Sequence, residues 1–232
     1  MPLNVVLFDM DGTLVDTRDA AWEIFAETDR AFGLGIDTQE KFLQLSESNF
    51  FRAIADHCDD AARAEAVVSH FMDTIRRCYN PPFIPGIVEI IKALNDEVEM
   101  AILSSNMLDV IRRILAAGDV ASCFPHILAG DDEPSKTAAI AHYLRVGADY
   151  RGTSSSEVSD APVWRADEVA LVTDTVGDVG EGRACGLRVC GVSWGMHTAS
   201  KLRDAGAQYV AHTPSELLDW IKQARNSATM RS

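Results

Sequence analysis

Short apolar runs rich in β-branched residues recur along the chain, each bounded by turn-forming or polar residues. The first, residues 4–8 (Asn-Val-Val-Leu-Phe), ends in Asp9-Met10-Asp11-Gly12-Thr13 and reads as a buried strand feeding a tight turn. Runs at 98–103, 127–129, 169–173, 189–192 and 209–211 repeat the pattern. Between them, apolar residues fall at helical spacing over 86–95, 108–117, 136–144, 177–185, 199–204 and 214–224. Strand alternating with helix predicts an α/β fold, a parallel sheet covered on both faces.

One region breaks the alternation. Residues 16–80 contain no strand-like run, only helix-period apolar positions: Trp22, Ile24, Phe25 and Phe32, then Phe50, Phe51 and Ile54, then Val67, Val68, Phe71 and Ile75. The chain returns through Asn80-Pro81-Pro82-Phe83-Ile84-Pro85-Gly86, where the prolines forbid helix continuation and stiffen the connection. This predicts an inserted helical domain at 16–80, with 1–15 and 81–232 forming the core. A helical beginning to one continuous core is the other reading. A second interruption, 149–167, holds Arg151-Gly152-Thr153-Ser154-Ser155-Ser156 and Pro162 where a short connection is usual, and predicts a surface excursion. The polar tail at 226–232 is expected to fray.

Composition narrows the class of protein. Over 232 residues, 47% hydrophobic content suffices for a buried core, and a formal charge of −14 argues against nucleic acid, whose binding draws on clustered Lys and Arg. A small, locally recognised anion remains compatible with that charge. Five cysteines with no Cys-x-x-Cys pair suggest neither a disulfide framework nor a zinc ribbon, and six histidines show no metal-ligand spacing. The start lacks a basic leader and no apolar run approaches membrane-spanning length, so a soluble, cytoplasmic protein without a membrane partner is expected. Oligomeric state is not legible.

In open parallel sheets ligands bind at the carboxyl ends of the strands. There the sequence places Asp9 and Asp11, then Ser104-Ser105-Asn106, then Lys136 before a helix, and Thr173-Asp174 with Asp178 a turn later. Taken singly these are ordinary: an Asp-Gly turn, a Ser cap, a solvated Lys. Together they suit phosphoryl transfer, in which an anionic nucleophile reaches an anionic phosphate only if fixed positive charge and hydrogen-bond donors offset the repulsion. Asp9 is then the nucleophile and Asp11 the general acid and base. Lys136 screens Asp9, and the Ser104 hydroxyl holds phosphate oxygens. Gly12, Thr13, Ser105 and Asn106 line the substrate. Magnesium, which prefers oxygen ligands and keeps waters, would use Asp9, the Asp11 carbonyl and Asp174, with Asp178 a further ligand or a supporting group. The run Gly180-x-Gly182-x-x-x-Gly186 lacks the dinucleotide spacing and reads as helix packing.

This order and placement resembles the four-motif signature of the haloacid-dehalogenase superfamily. Leu7-Phe8-Asp9-Met10-Asp11-Gly12-Thr13-Leu14-Val15-Asp16 is its most specific part. The likeness runs on through Asp174-Thr175-Val176-Gly177-Asp178 and Gly191-Val192-Ser193-Trp194-Gly195 to Pro214-Ser215-Glu216-Leu217-Leu218, and so spans nearly the whole chain. It implies a Rossmann-like core with an all-α cap inserted after the first motif, the roles given above, and Mg2+ as cofactor. Dehalogenases and the phosphonate-cleaving branch lack an Asp at the position of Asp11, so the resemblance points to a phosphatase of a small phosphorylated metabolite, similar to phosphoglycolate-phosphatase-type members. Relatives usually carry a Lys-Pro pair, whereas here Asp131-Asp132-Glu133-Pro134-Ser135 precedes Lys136 and Thr137 follows. Lys92 and Lys201 are the alternatives, both set within helical stretches. In the cap, residues 44–49 followed by Arg52 are placed to choose substrate. Arg52 either pairs with a substrate carboxylate or second phosphate, or is an exposed helix residue. Trp194 lines the rim or packs behind it. Two rival functions stand beside the phosphatase: a phosphomutase of the β-phosphoglucomutase type, and a catalytically silent binding module.

Overall fold

The computed structural model describes residues 1–46, 53, 54, 56–150 and 163–226. Six strands, β1 (Val5–Phe8), β2 (Glu99–Leu103), β3 (His126–Leu128), β4 (Val169–Thr173), β5 (Arg188–Val192) and β6 (Tyr209–Ala211), form one sheet. All pairings are parallel and the order is β3-β2-β1-β4-β5-β6. The two central strands are buried along their whole length, which is why β1 (Val-Val-Leu-Phe) and β4 (Val-Ala-Leu-Val-Thr) show no polar alternation. The fold is α/β, with helices Ile87–Leu94, Leu108–Ala117, Lys136–Val146, Val176–Ala184, Ala199–Asp204 and Pro214–Asn226 in the connections.

The chain order reverses beside β1. β2 and β3 extend the sheet on one side and β4 to β6 on the other, so the carboxyl ends of β1 and β4 are neighbours at the topological switch point. The register runs Val5↔Val169 to Phe8↔Val172, and the Asp9 amide continues the ladder onto the Val172 carbonyl at 2.9 Å. Asp9 and Asp174, 165 residues apart in sequence, are thereby brought to one edge.

Helix starts complete that edge. The Ser135 side chain caps the helix Lys136–Val146 by accepting from the Ala138 amide at 3.1 Å, and Thr175 caps Val176–Ala184 by accepting from the Asp178 amide at 3.1 Å. Lys136 and Asp178 thus stand in first turns, just past strand ends. The helix expected over 136–144 runs on to Val146 because Tyr143 and Val146 are both buried in the core, and the turn ends at Gly147.

The chain divides into two compact units, residues 1–16 with 82–232, and residues 17–81. The second contains the helices Arg18–Phe32, Gln39–Ser46 and Ala61–Cys78, and among its described residues there is no strand. Its core is aromatic: the Phe25 ring lies 5.0 Å from Phe42 and 5.8 Å from Phe71. Helix ends are defined chemically, with Gly33 left-handed (φ 63°) after the first and the Asp60 side chain accepting from the Arg63 amide before the last. Arg52, half of the expected specificity loop (47–49), the greater part of the serine-rich excursion (151–162) and residues 227–232 lie outside the described residues.

Candidate active site

Just beyond β1 the chain makes a tight turn. The amides of Thr13, Leu14 and Val15 all point back to the Met10 carbonyl, at 3.3, 2.9 and 3.1 Å, and the Gly12 amide bonds the Val15 carbonyl at 2.9 Å. Gly12 has φ +77°, and a Cβ there would lie 2.1 Å from Asp174 Oδ2. Both the conformation and the close approach of the β4 edge exclude any side chain.

Around this turn the structure gathers Asp9, Thr13, Lys136, Asp174 and Asp178. Lys136 Nζ donates to Asp9 Oδ1 at 2.8 Å and to Asp178 Oδ2 at 2.7 Å, bridging the β1 and β4 ends. Of the three lysines considered from sequence, Lys136 is the one beside Asp9; Lys92 bonds Asp119 on the surface and Lys201 is exposed in its helix. The Thr13 hydroxyl lies 3.4 Å from both Asp9 Oδ2 and Asp174 Oδ1, sharing its single proton between the two carboxylates. Asp174 Oδ2 also accepts from the Met196 amide at 2.6 Å. Asp178 is held by Lys136 and by the Thr173 hydroxyl at 2.8 Å, both on Oδ2.

On the β2 side, the Asn106 Nδ2 donates to Asp11 Oδ2 at 3.4 Å while its Oδ1 accepts from the Met107 amide at 2.9 Å. Asn106, expected to face substrate, is therefore also a side-chain partner of Asp11. Ser104 is buried, and its Oγ accepts from the Asn106 amide at 3.1 Å, which leaves its proton available to a further acceptor. Ser105 is exposed next to it. A recess of about 120 Å³ is lined by Ser104, Ser105, Gly130, Glu133, Ser135 and Lys136. Larger hollows of about 590 and 800 Å³ lie away from these residues, around Asn4 and Glu99 and around Arg112 and His126. Glu133, in the turn before Lys136, accepts from His142 Nδ1 at 2.7 Å, a part-buried pair that ties this turn to its own helix.

Charge here is unbalanced. Asp9, Asp174 and Asp178 are all buried, against the one ammonium of Lys136. Burial pushes the Asp9 carboxyl well above the usual carboxylate range, with Lys136 opposing and Asp178 and Asp174 adding to the rise. Burial likewise pushes Asp174 up to about 6, the Met196 amide opposing and Asp178 reinforcing. For Lys136, burial favours the neutral form, but Asp9 and Asp178 reverse this and hold it above its ordinary value. The donor set, carboxylate oxygens with excess negative charge, suits a hard divalent cation. Among the described residues no three His, Cys, Asp or Glu side chains are grouped so as to hold a metal by themselves. A cation here would need main-chain oxygen and water to complete its shell.

One participant was not singled out from sequence, the Met196 amide on Asp174. A backbone amide carries no sequence signal. Thr173 was named at the strand end without a role, and its hydroxyl donates to Asp178.

A sequence model of haloacid dehalogenase-like hydrolases matches residues 6–192. The chain is 26% identical over 228 residues to "Probable phosphatase IndB" of Dickeya dadantii, covering 92% of this chain and 91% of that one. It is 25% identical over 226 residues to "Phosphoglycolate phosphatase" of Synechococcus elongatus, covering 95% and 98%. Among solved structures, a predicted phosphatase from Clostridium acetobutylicum superposes with a TM-score of 0.78 at 19% identity, over 96% of this chain and 100% of that one. With the family match spanning most of the sequence and the same fold in its structural relatives, the chain belongs to the haloacid dehalogenase-like hydrolase family.

Proposed function

We propose that this protein is a Mg2+-dependent phosphatase of a small phosphomonoester, with Asp9 as nucleophile. The observation that carries the reading is the Lys136 ammonium held between Asp9 at 2.8 Å and Asp178 at 2.7 Å at the switch point. It opposes the burial that raises the Asp9 carboxyl and shields that group from an incoming phosphate. The phosphatase names of the relatives in Dickeya dadantii and Synechococcus elongatus support the same class of substrate.

In this mechanism an Asp9 oxygen attacks phosphorus and the bond to the leaving oxygen breaks, giving an acyl phosphate on Asp9. Asp11, steadied by Asn106, donates its proton to the departing alkoxide. It then takes a proton from the water that attacks the acyl phosphate, so that phosphate leaves and Asp9 is restored. The Ser104 hydroxyl, whose oxygen already accepts from the Asn106 amide, donates to a phosphoryl oxygen, as do backbone amides near the turns. Asp9, Asp174 and the carbonyl of Asp11 would hold Mg2+, which supplies Lewis-acid neutralisation of the transferring phosphoryl group. Asp178, with Oδ2 committed to Lys136 and Thr173, acts in this scheme through Lys136. The helical unit, residues 17–81, serves as the cap that chooses the substrate, and five free thiols fit a reducing cytoplasm.

The test is phosphate release from a panel of phosphorylated metabolites with Mg2+ present. Hydrolysis of one or more substrates, lost with Asp9→Asn and with chelation, is expected. Full activity of Asp9→Asn would sink the mechanism. Isomerisation primed by a bisphosphate, without net phosphate release, would transfer the assignment to the phosphomutase.

A further inference from the structure

The segment after β5 sits where the cation would be held, yet none of its side chains has a role in the chemistry. Trp194 Nε1 donates to the Thr13 carbonyl at 3.1 Å. The Met196 amide donates to Asp174 Oδ2 at 2.6 Å, and the His197 amide to the Asp174 carbonyl at 3.2 Å. Between these contacts, Gly195 is packed so closely that an added Cβ would lie 2.3 Å from Asp174 Oδ2 and 2.4 Å from the Gly12 carbonyl. Both ends of the segment are anchored outside the site. The Ser193 amide bonds the Ala211 carbonyl of β6 at 3.0 Å, and the His197 Nδ1 accepts from the Val176 amide at 3.3 Å, at the start of the next helix.

One loop thus grips the β1 turn through Trp194, the β4 end through Met196 and His197, and fills the gap between them with Gly195. The shared Thr13 hydroxyl, 3.4 Å from Asp9 and from Asp174, then spans two ends whose separation the loop sets. We propose that residues 194–197 are a positioning brace that sets the spacing of Asp9 and Asp174 and so tunes divalent-cation affinity from outside the coordination shell. The inference rests on the proposed metal-dependent function. Its physical basis is that a hard cation of fixed size tolerates little error in ligand spacing, and the groups orienting its ligands govern affinity nearly as the ligands do. The rim or packing role considered for Trp194 from sequence becomes a specific bond to the motif turn.

The test is Mn2+ binding to the full chain, followed by electron paramagnetic resonance without substrate, beside Mg2+-dependent turnover. Trp194→Phe keeps the ring and removes the bond to Thr13; its Mn2+ Kd should rise about tenfold, the lower end of what loss of such orienting groups costs. Its lost activity should be recovered by raising Mg2+. Gly195→Ala should weaken binding further; because that variant can fail to fold, Trp194→Phe decides. Trp220→Phe, which alters a ring stacked on Tyr209, is the control and should bind Mn2+ as wild type does. Unchanged Mn2+ affinity in Trp194→Phe, an equal loss in Trp220→Phe, or no Mn2+ binding by wild type would each overturn the brace. A wild-type protein that binds Mn2+ but hydrolyses no phosphomonoester would instead sink the proposed function, leaving the brace to be judged on binding alone.

Discussion

The carboxyl edge of the sheet and the helical unit of residues 17–81 are built on opposite terms. At the edge, buried carboxylates crowd one lysine, and each is held by donors from different parts of the chain: Thr13, Asn106, Lys136, Thr173 and the Met196 amide. In the helical unit, burial is largely apolar, with Phe25, Phe42 and Phe71 in contact, and ion pairs lie at the surface, as between Arg63 and Asp59 or Arg77 and Glu27. The first arrangement carries electrostatic strain for the sake of chemistry, since buried like charges are held only by specific partners. The second rests on apolar packing, so the groups suited to bond-making are found where charge is buried.

Four substitutions sharpen that contrast, from large to small. Asp9→Asn should lower turnover by about 10⁴-fold or more with folding intact by circular dichroism, as removal of a nucleophile does. Lys136→Met should lower it by roughly 10³-fold in steady-state assays, and should also lower the melting temperature, because Asp9 and Asp178 lose their shared cation. If Lys136→Met were more stable than wild type and equally active, the edge would not be strained as argued. Phe71→Ala should cost about 3 kcal/mol of stability by denaturant unfolding, the usual penalty for a buried aromatic, while leaving Mn2+ affinity unaltered. Glu27→Ala, whose partner Arg77 is 3.7 Å away in a half-exposed pair, should change stability by less than about 0.5 kcal/mol in the same experiment.

Much of this was readable from local pattern. The strands over 169–173 and 209–211 and the helices over 108–117 and 199–204 match their expected bounds, because apolar period and flanking turn residues act locally. The helix at Lys136 was placed too short, since its last turn is fixed by burial of Tyr143 and Val146 against the core, which no local signal encodes. The acidic and cationic residues of the edge were likewise recognisable by type and by their position after strands. Their pairings were not. Asn106 and Thr13 were both expected to line the substrate; Asn106 also bonds Asp11, and Thr13 also reaches Asp174, 161 residues on.

By itself, the sequence determined which residues end the strands or begin the helices after them, and hence which groups are candidates for the site: Asp9, Asp11, Ser104, Lys136, Asp174 and Asp178. Its apolar period also predicted helices over 16–80, and the described residues of that stretch hold the helices Arg18–Phe32, Gln39–Ser46 and Ala61–Cys78 and no strand. Only the tertiary structure decided how those groups are spaced and charged. Placing β4 beside β1 brings Asp174 against Gly12, and burial there raises Asp174 while Lys136 is kept charged between two aspartates. The loop after β5 then supplies amide and indole donors whose identity no local pattern records. Composition names the groups, but distance and desolvation set their energies, and both arise only when strands far apart in sequence become neighbours.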